Sequence, residues 1–190
     1  MEALSEKKHI FGLDEYESIY QENRIEVIDG TIYDMASPSQ VHQEILTEIL
    51  IEIRDALRKK NSKCKVFPAP FDVKLSDSPL TIVQPDILVV CDSSKLDGKR
   101  VNGAPDFVIE IVSQGTASRD YLQKLNLYAA AKVKEYWIIN PMERTVITYW
   151  MEDGSMIVHA YSFNDKVKVA VCEDFYIDFL NISKAVLGDN

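Results

Sequence analysis

Apolar residues recur at every third and fourth position from about Ser39 to Lys60: Val41, Ile45, Leu46, Ile49, Leu50, Ile53, Ala56 and Leu57. That spacing predicts one long helix with a single buried stripe. Glu44, Glu48, Glu52 and Asp55 fall on the opposite side. His42 lies near the middle of the apolar stripe, in line with Ile49, Ile53 and Ala56. Ser37, Pro38 and Ser39 interrupt the pattern before the helix and offer a cap with proline near the first turn.

Elsewhere the pattern predicts mostly strands. A short helix is expected over Leu13 to Glu22, then a hairpin over Arg24 to Ala36, turned by Asp29-Gly30 between two β-rich runs. Cys64 to Leu75, Thr81 to Cys91 and Asp106 to Ser113 read as strands. The last two are nearly continuous β-branched runs, as in central strands buried on both faces. Asp92 to Ala104 is polar, holds two glycines, and reads as a loop or lid. A second helix is expected over Thr116 to Lys132, capped by Thr116 or Ser118, and a strand over Tyr136 to Asn140. Arg144 to Asp178 alternates in short runs, suiting an antiparallel meander, and Asn181 to Leu187 reads as a closing helix. The order implies an α/β protein with a mixed central sheet flanked by helices.

Nothing in the 190 residues divides the chain. It reads as a single domain, 1–190: helix and hairpin over 12–36, a core over 38–141 and a meander over 144–190. The charged start, Met1 to Ile10, is not a signal peptide, and no apolar run is long enough for a membrane helix. Cys64, Cys91 and Cys172 form no CxxC pair and are odd in number. They read as reduced, partly buried thiols of a cytoplasmic protein. His9, His42 and His159 lack zinc-ligand spacing. The net charge of −9 weighs against nucleic acid, whose affinity comes largely from Lys and Arg. A local basic surface can nevertheless coexist with an acidic total, and bound divalent cations offset site carboxylates.

The residues that carry chemistry are acids inside apolar strands. A buried carboxylate must be paired, hydrogen-bonded or bound to metal. Asp86 follows Pro85 in a run of Val, Ile and Leu, and Glu110 sits within Phe107 to Val112. Side by side, the two would offer oxygen ligands to Mg²⁺ or Mn²⁺. Taken singly, each also suits an acid that caps a loop amide or pairs with a surface lysine. Asp120, Lys124 and Tyr128 are spaced at i, i+4 and i+8 and share a helix face. They form either a surface ion pair or a face that turns Lys124 back toward Glu110. His42 is either a satisfied core histidine or an active-site hydrogen-bond donor. Asp106, four residues before Glu110 at a strand start, reads as structural.

These residues resemble the PD-(D/E)xK nuclease superfamily. The match is Pro85-Asp86 with Glu110, 24 residues after the aspartate. Val112 stands where the superfamily lysine belongs. A closer resemblance is to the restriction-endonuclease-like group whose lysine has migrated to a helix. Its pattern appears as Glu110-Ile111-Val112-Ser113, then Asp120, Lys124 and Tyr128, then Glu135-Tyr136-Trp137, with Glu26, Asp29, Gly30 and His42 upstream. The resemblance spans about residues 12 to 141. It implies a restriction-endonuclease-like fold and metal-dependent hydrolysis of DNA phosphodiester bonds. Asp86, Glu110 and Lys124 would be catalytic, with Glu26, His42, Asp120, Ser113 and Tyr128 in support. The implied cofactor is Mg²⁺ or Mn²⁺ on Asp86 and Glu110, with a main-chain carbonyl at Ile111 or Val112 as a further ligand.

Two other functions fit the sequence. One is a non-catalytic interaction or regulatory protein on a nuclease-like fold, favoured by the acidic total and the absent motif lysine. The other is a hydrolase of small phosphorylated substrates, for which no Gly-rich phosphate loop is present. A homodimer is also expected, through the C-terminal strands with Tyr149, Trp150 and Tyr161 exposed.

Overall fold

In the computed structural model, residues 12–20, 24–113, 119–152, 154–172 and 174–188 are described, with the main chain only at 119 and 120. The expectations for Met1 to Ile10, the end of the first helix at 21 and 22, and the Thr116 or Ser118 cap lie outside them. Helix α1 is Leu13–Tyr20. The hairpin follows as β1 Ile25–Ile28 and β2 Thr31–Asp34. Asp29 and Gly30 turn it with φ of 50° and 74°, the left-handed pair that a two-residue hairpin loop requires. Helix α2 is Gln40–Lys59, and Ser39 caps it by accepting the His42 N–H at 3.2 Å.

The strand-rich middle is β3 Lys65–Pro68, β4 Asp72–Asp77, β5 Leu80–Val83, β6 Ile87–Val90, β7 Arg100–Asn102 and β8 Phe107–Ile111. Residues Arg119–Lys124 then wind as a wide π-type helix into α3 Leu125–Ala130. The chain continues with β9 Glu135–Asn140, β10 Thr145–Glu152, β11 Ser155–Ser162, β12 Lys166–Lys168, β13 Tyr176–Asp178 and α4 Phe179–Leu187.

The central sheet has the order β11-β10-β9-β8-β6-β3, antiparallel except for β8–β9. A second sheet runs β2-β1-β5-β4-β7, and β12 with β13 forms a short ribbon. The expected mixed sheet is therefore present, but the run from Thr81 to Cys91 is not one strand. It passes from the second sheet (β5) to the central one (β6) at Gln84-Pro85-Asp86. The run from Cys64 to Leu75 makes the reverse passage at Ala69-Pro70. Each passage contains a proline, which has no N–H to continue a ladder. The two passages touch, because Ala69 N donates to Asp86 O at 2.9 Å.

Alternation along the central strands sorts the core. Phe107, Ile109 and Ile111 join Ile45, Ile49, Ile53 and Trp137 under α2 and α4. Val108 and Val112 face the other way, toward Tyr128, Tyr136 and Val83. Glu110 shares the parity of Val108 and Val112, so it faces α3.

Three further expectations are corrected. Residues 92–104 are not simply a loop. They carry β7, held by Asp97 accepting from the Arg100 N–H at 2.8 Å and by the buried Arg100 guanidinium on Glu17. Cys64 and Cys91 are not free thiols but a disulfide, and only Cys172 stays reduced. The β3–β6 register pairs Lys65 with Val90 and so sets the two cysteines opposite each other. Tyr149 is buried, while Trp150 and Tyr161 are half-buried. On these two strands the exposed large apolar residues are instead Met156, Ile157 and Val158 of β11. Among the described residues no helix is long and apolar enough to cross a membrane.

Candidate active site

The junction between the sheets opens a cavity of about 350 Å³, lined among others by Glu26, His42, Asp86, Glu110, Ser113 and Lys124. Of the eight candidates from the sequence, these six meet in one place. Tyr128 stands behind them, and the Asp120 side chain lies outside the described residues.

Asp86 immediately precedes β6, one position beyond the Ile87–Ile109 pair, and so faces Glu110 across the ladder. Its Oδ2 accepts the Ile111 N–H at 2.7 Å and lies 3.1 Å from His42 Nε2. Both contacts fall on one oxygen, and Oδ1 makes none among the described residues. His42 reaches Asp86 from the first turn of α2, and its Nδ1 is buried without a hydrogen-bond partner among those residues.

Glu110 is held from α3. Lys124 Nζ lies 2.8 Å from Glu110 Oε1 and 2.9 Å from Glu26 Oε1. Tyr128 OH donates to the same Glu110 oxygen at 2.8 Å. All four side chains are buried. Burial, and then the Glu110 charge, push the Tyr128 phenol well above its usual range, so it remains a donor. One ammonium thus serves two carboxylates from different sheets, Glu26 on β1 and Glu110 on β8. With Asp86, the cluster has a formal charge of −2.

Two residues that the sequence reading passed over belong here. The Gln84 N–H donates to Glu26 Oε1 at 3.0 Å, and its side-chain amide donates to Asp72 Oδ1 at 3.0 Å. Its signal was a buried polar side chain in the same apolar run as Asp86. Arg24, exposed at the cavity lip, had no signal beyond its place before the hairpin. Asp106 lies elsewhere, accepting from Cys91 N at 2.8 Å and Lys134 Nζ at 2.9 Å.

The donor set can be tested against a divalent cation. Among the described residues no group of three or more His, Cys, Asp or Glu converges as a ligand set. Two carboxylates lining one cavity, one with an oxygen that makes no hydrogen bond among the described residues, nevertheless suit Mg²⁺, which binds through one or two carboxylates and keeps its waters.

A mixed sheet flanked by helices, with acids gathered where its strands leave it, defines the restriction-endonuclease-like superfamily of α/β proteins. A crystal structure of a putative nuclease belonging to DUF820 from Anabaena variabilis ATCC 29413 shares this fold. Its TM-score is 0.73 at 20% identity, over 90% of this chain and 96% of that one. The family profile "Uma2: Putative restriction endonuclease" matches residues 13–179, and the chain belongs to that family. No curated protein matches it.

Proposed function

We propose that the chain is a single-domain, metal-dependent endonuclease that hydrolyses DNA phosphodiester bonds. The observation that carries this reading is the approach of Lys124 to Glu110 inside the cavity that also holds Asp86. A surface Asp–Lys pair would have turned this lysine to solvent.

Asp86 and Glu110 would hold Mg²⁺ or Mn²⁺, which when bound lowers the pKa of a coordinated water and offsets charge on the scissile phosphate. The protein's own part is positioning. His42 and the Ile111 N–H fix the Asp86 carboxylate through Oδ2, with Oδ1 making no hydrogen bond among the described residues. Tyr128 and Lys124 fix Glu110. The Lys124 ammonium would orient the attacking water and counter negative charge that grows on the phosphate. Water adds to phosphorus, a P–O ester bond breaks, and the departing oxygen takes up a proton.

The same ion pairs support the competing reading, a non-catalytic protein on this fold, because Glu26 and Glu110 neutralise Lys124 without a substrate. Cleavage of supercoiled plasmid and of single-stranded DNA with Mg²⁺ or Mn²⁺ separates the two. Nicking that disappears in Asp86→Ala and Lys124→Ala supports the nuclease. Inert protein with no calorimetric metal binding supports the alternative.

A homodimer is part of this reading, since two sites suit two cuts on a duplex. Its support is β11, an eight-residue edge strand without a charged residue or proline, exposed over most of its length. Free edges of this kind pair with another strand. The opposite edge, β3, carries Lys65 and Pro68, which discourage pairing.

A further inference from the structure

The chain's basic residues are unevenly placed. Residues 54–65 hold six of them (Arg54, Arg58, Lys59, Lys60, Lys63 and Lys65) and one acid, a local charge of +5. The other 178 residues carry −14. All six basic side chains are exposed. Apart from Arg54, 3.9 Å from Asp55, none forms an ion pair among the described residues. The macrodipole of α2 accounts for Arg58 and Lys59 in its last turn. It does not account for Arg54 a turn earlier, or for Lys63 and Lys65 beyond the helix.

Three of them, Arg54, Arg58 and Lys65, line a second cavity of about 620 Å³ with Asn61, over Leu57 and Phe67, while Lys59 and Lys60 turn to another side of α2 beside Glu52 and Asp55. Its far wall is β3, the free edge of the central sheet. Lys65, Val66 and Phe67 of that edge line the basic cavity, while Ala69 and Pro70, next along the chain, line the carboxylate cavity. One continuous stretch of chain, β3 and the passage that follows it, therefore joins the two. At about 3.3 Å per residue, Lys65 and Ala69 are roughly 13 Å apart. Along the axis of a duplex that distance spans about four phosphates of one strand, which recur every ~3.4 Å of axis.

We propose that this basic edge is a docking surface for the sugar-phosphate backbone of duplex DNA, leading along β3 to the Asp86–Glu110 cavity. The proposal rests on the nuclease reading for its substrate, and supplies the local positive surface that an acidic chain needs to approach DNA.

The test is fluorescence anisotropy with a 30-base-pair duplex in EDTA, which keeps the DNA intact. The patch variant is Arg54→Gln/Arg58→Gln/Lys65→Gln, the three basic residues that line the cavity. Its control, Lys99→Gln/Lys168→Gln/Lys184→Gln, makes the same charge change at exposed sites elsewhere. The patch variant should melt like the wild type and bind about tenfold or more weakly. Its slope of log affinity against log salt should fall by about 3, about one per lost phosphate contact. Lys63→Gln/Lys65→Gln, outside the helix, should lower the slope by about 2. The control should stay within about twofold of wild type. Wild type that does not bind the duplex, or equal losses in patch and control, would overturn the surface. So would plasmid cleavage by the patch variant with unchanged salt dependence, which leaves the nuclease reading standing. Patch-dependent binding by a chain that cuts nothing would uphold the surface and remove hydrolysis instead.

Discussion

Lys124 Nζ lies 2.8 Å from Glu110 Oε1, reached from a helix fourteen residues further along the chain. Two residues after Glu110, just past the end of β8, stands Val112, buried in the core against the α3 side. The cation is thus delivered to the glutamate by a different element, and Glu26 shares it at 2.9 Å. Removing it takes this ammonium away from two buried carboxylates. Lys124→Met should therefore cost about 3–5 kcal/mol of stability in urea denaturation. Adding Glu110→Gln should restore more than about 1 kcal/mol of it, since the residues act as one network. A cost for Lys124→Met below about 1 kcal/mol would mean that the pair is not maintained in solution.

Asp86 depends on His42 in a similar way, at 3.1 Å. A residue that holds a ligating carboxylate typically contributes about 10- to 100-fold to metal affinity. His42→Ala should weaken Mn²⁺ binding by that factor in titration calorimetry. His42→Gln, whose amide can still donate toward Asp86, should remain within about tenfold of wild type. Equal affinity in wild type and His42→Ala would show that the histidine does not position the carboxylate.

What was legible in the sequence follows from cost. Asp86 and Glu110 stand out because an acid in an apolar strand must be compensated, and Lys124 with Tyr128 stand out because i and i+4 share a helix face. Both reach Glu110. Features set by long-range pairing were not legible. The Cys64–Cys91 disulfide follows from the β3–β6 register, which no spacing of cysteines encodes. The change of sheet at Gln84 to Asp86 has only Pro85 as its signal inside an otherwise continuous apolar run. Gln84 was overlooked for that reason, although it connects Glu26 to Asp72.

The edge strand β11 predicts self-association. Residues Ser155 to Ser162 include no Lys, Arg, Asp or Glu, so two copies would meet there without like charges despite a total of −9 per chain. Light scattering at micromolar concentration should give a dimer. Ile157→Lys, on an exposed position at the middle of the strand, should give a monomer with an unchanged melting temperature for the remaining fold. A wild-type monomer would remove the pairing.

Glu135 predicts a pH dependence of stability. It is buried on β9, accepting from Ala170 N, Val171 N and Trp137 Nε1 at 2.8–2.9 Å. Burial raises its carboxyl above the ordinary glutamate value, and these three donors only partly oppose the rise. Between the ordinary value, about 4.3, and the raised one, the folded chain binds more protons than the unfolded chain. The contribution of Glu135 is therefore fully present below about pH 4.3 and is lost as pH rises through the folded value. Glu135→Gln cannot titrate. The stability of wild type minus that of the variant, from urea curves between about pH 4 and 8, should fall as pH rises and then level off. A difference that rises with pH would mean that the hydrogen bonds outweigh burial and that the carboxylate is the favoured form throughout.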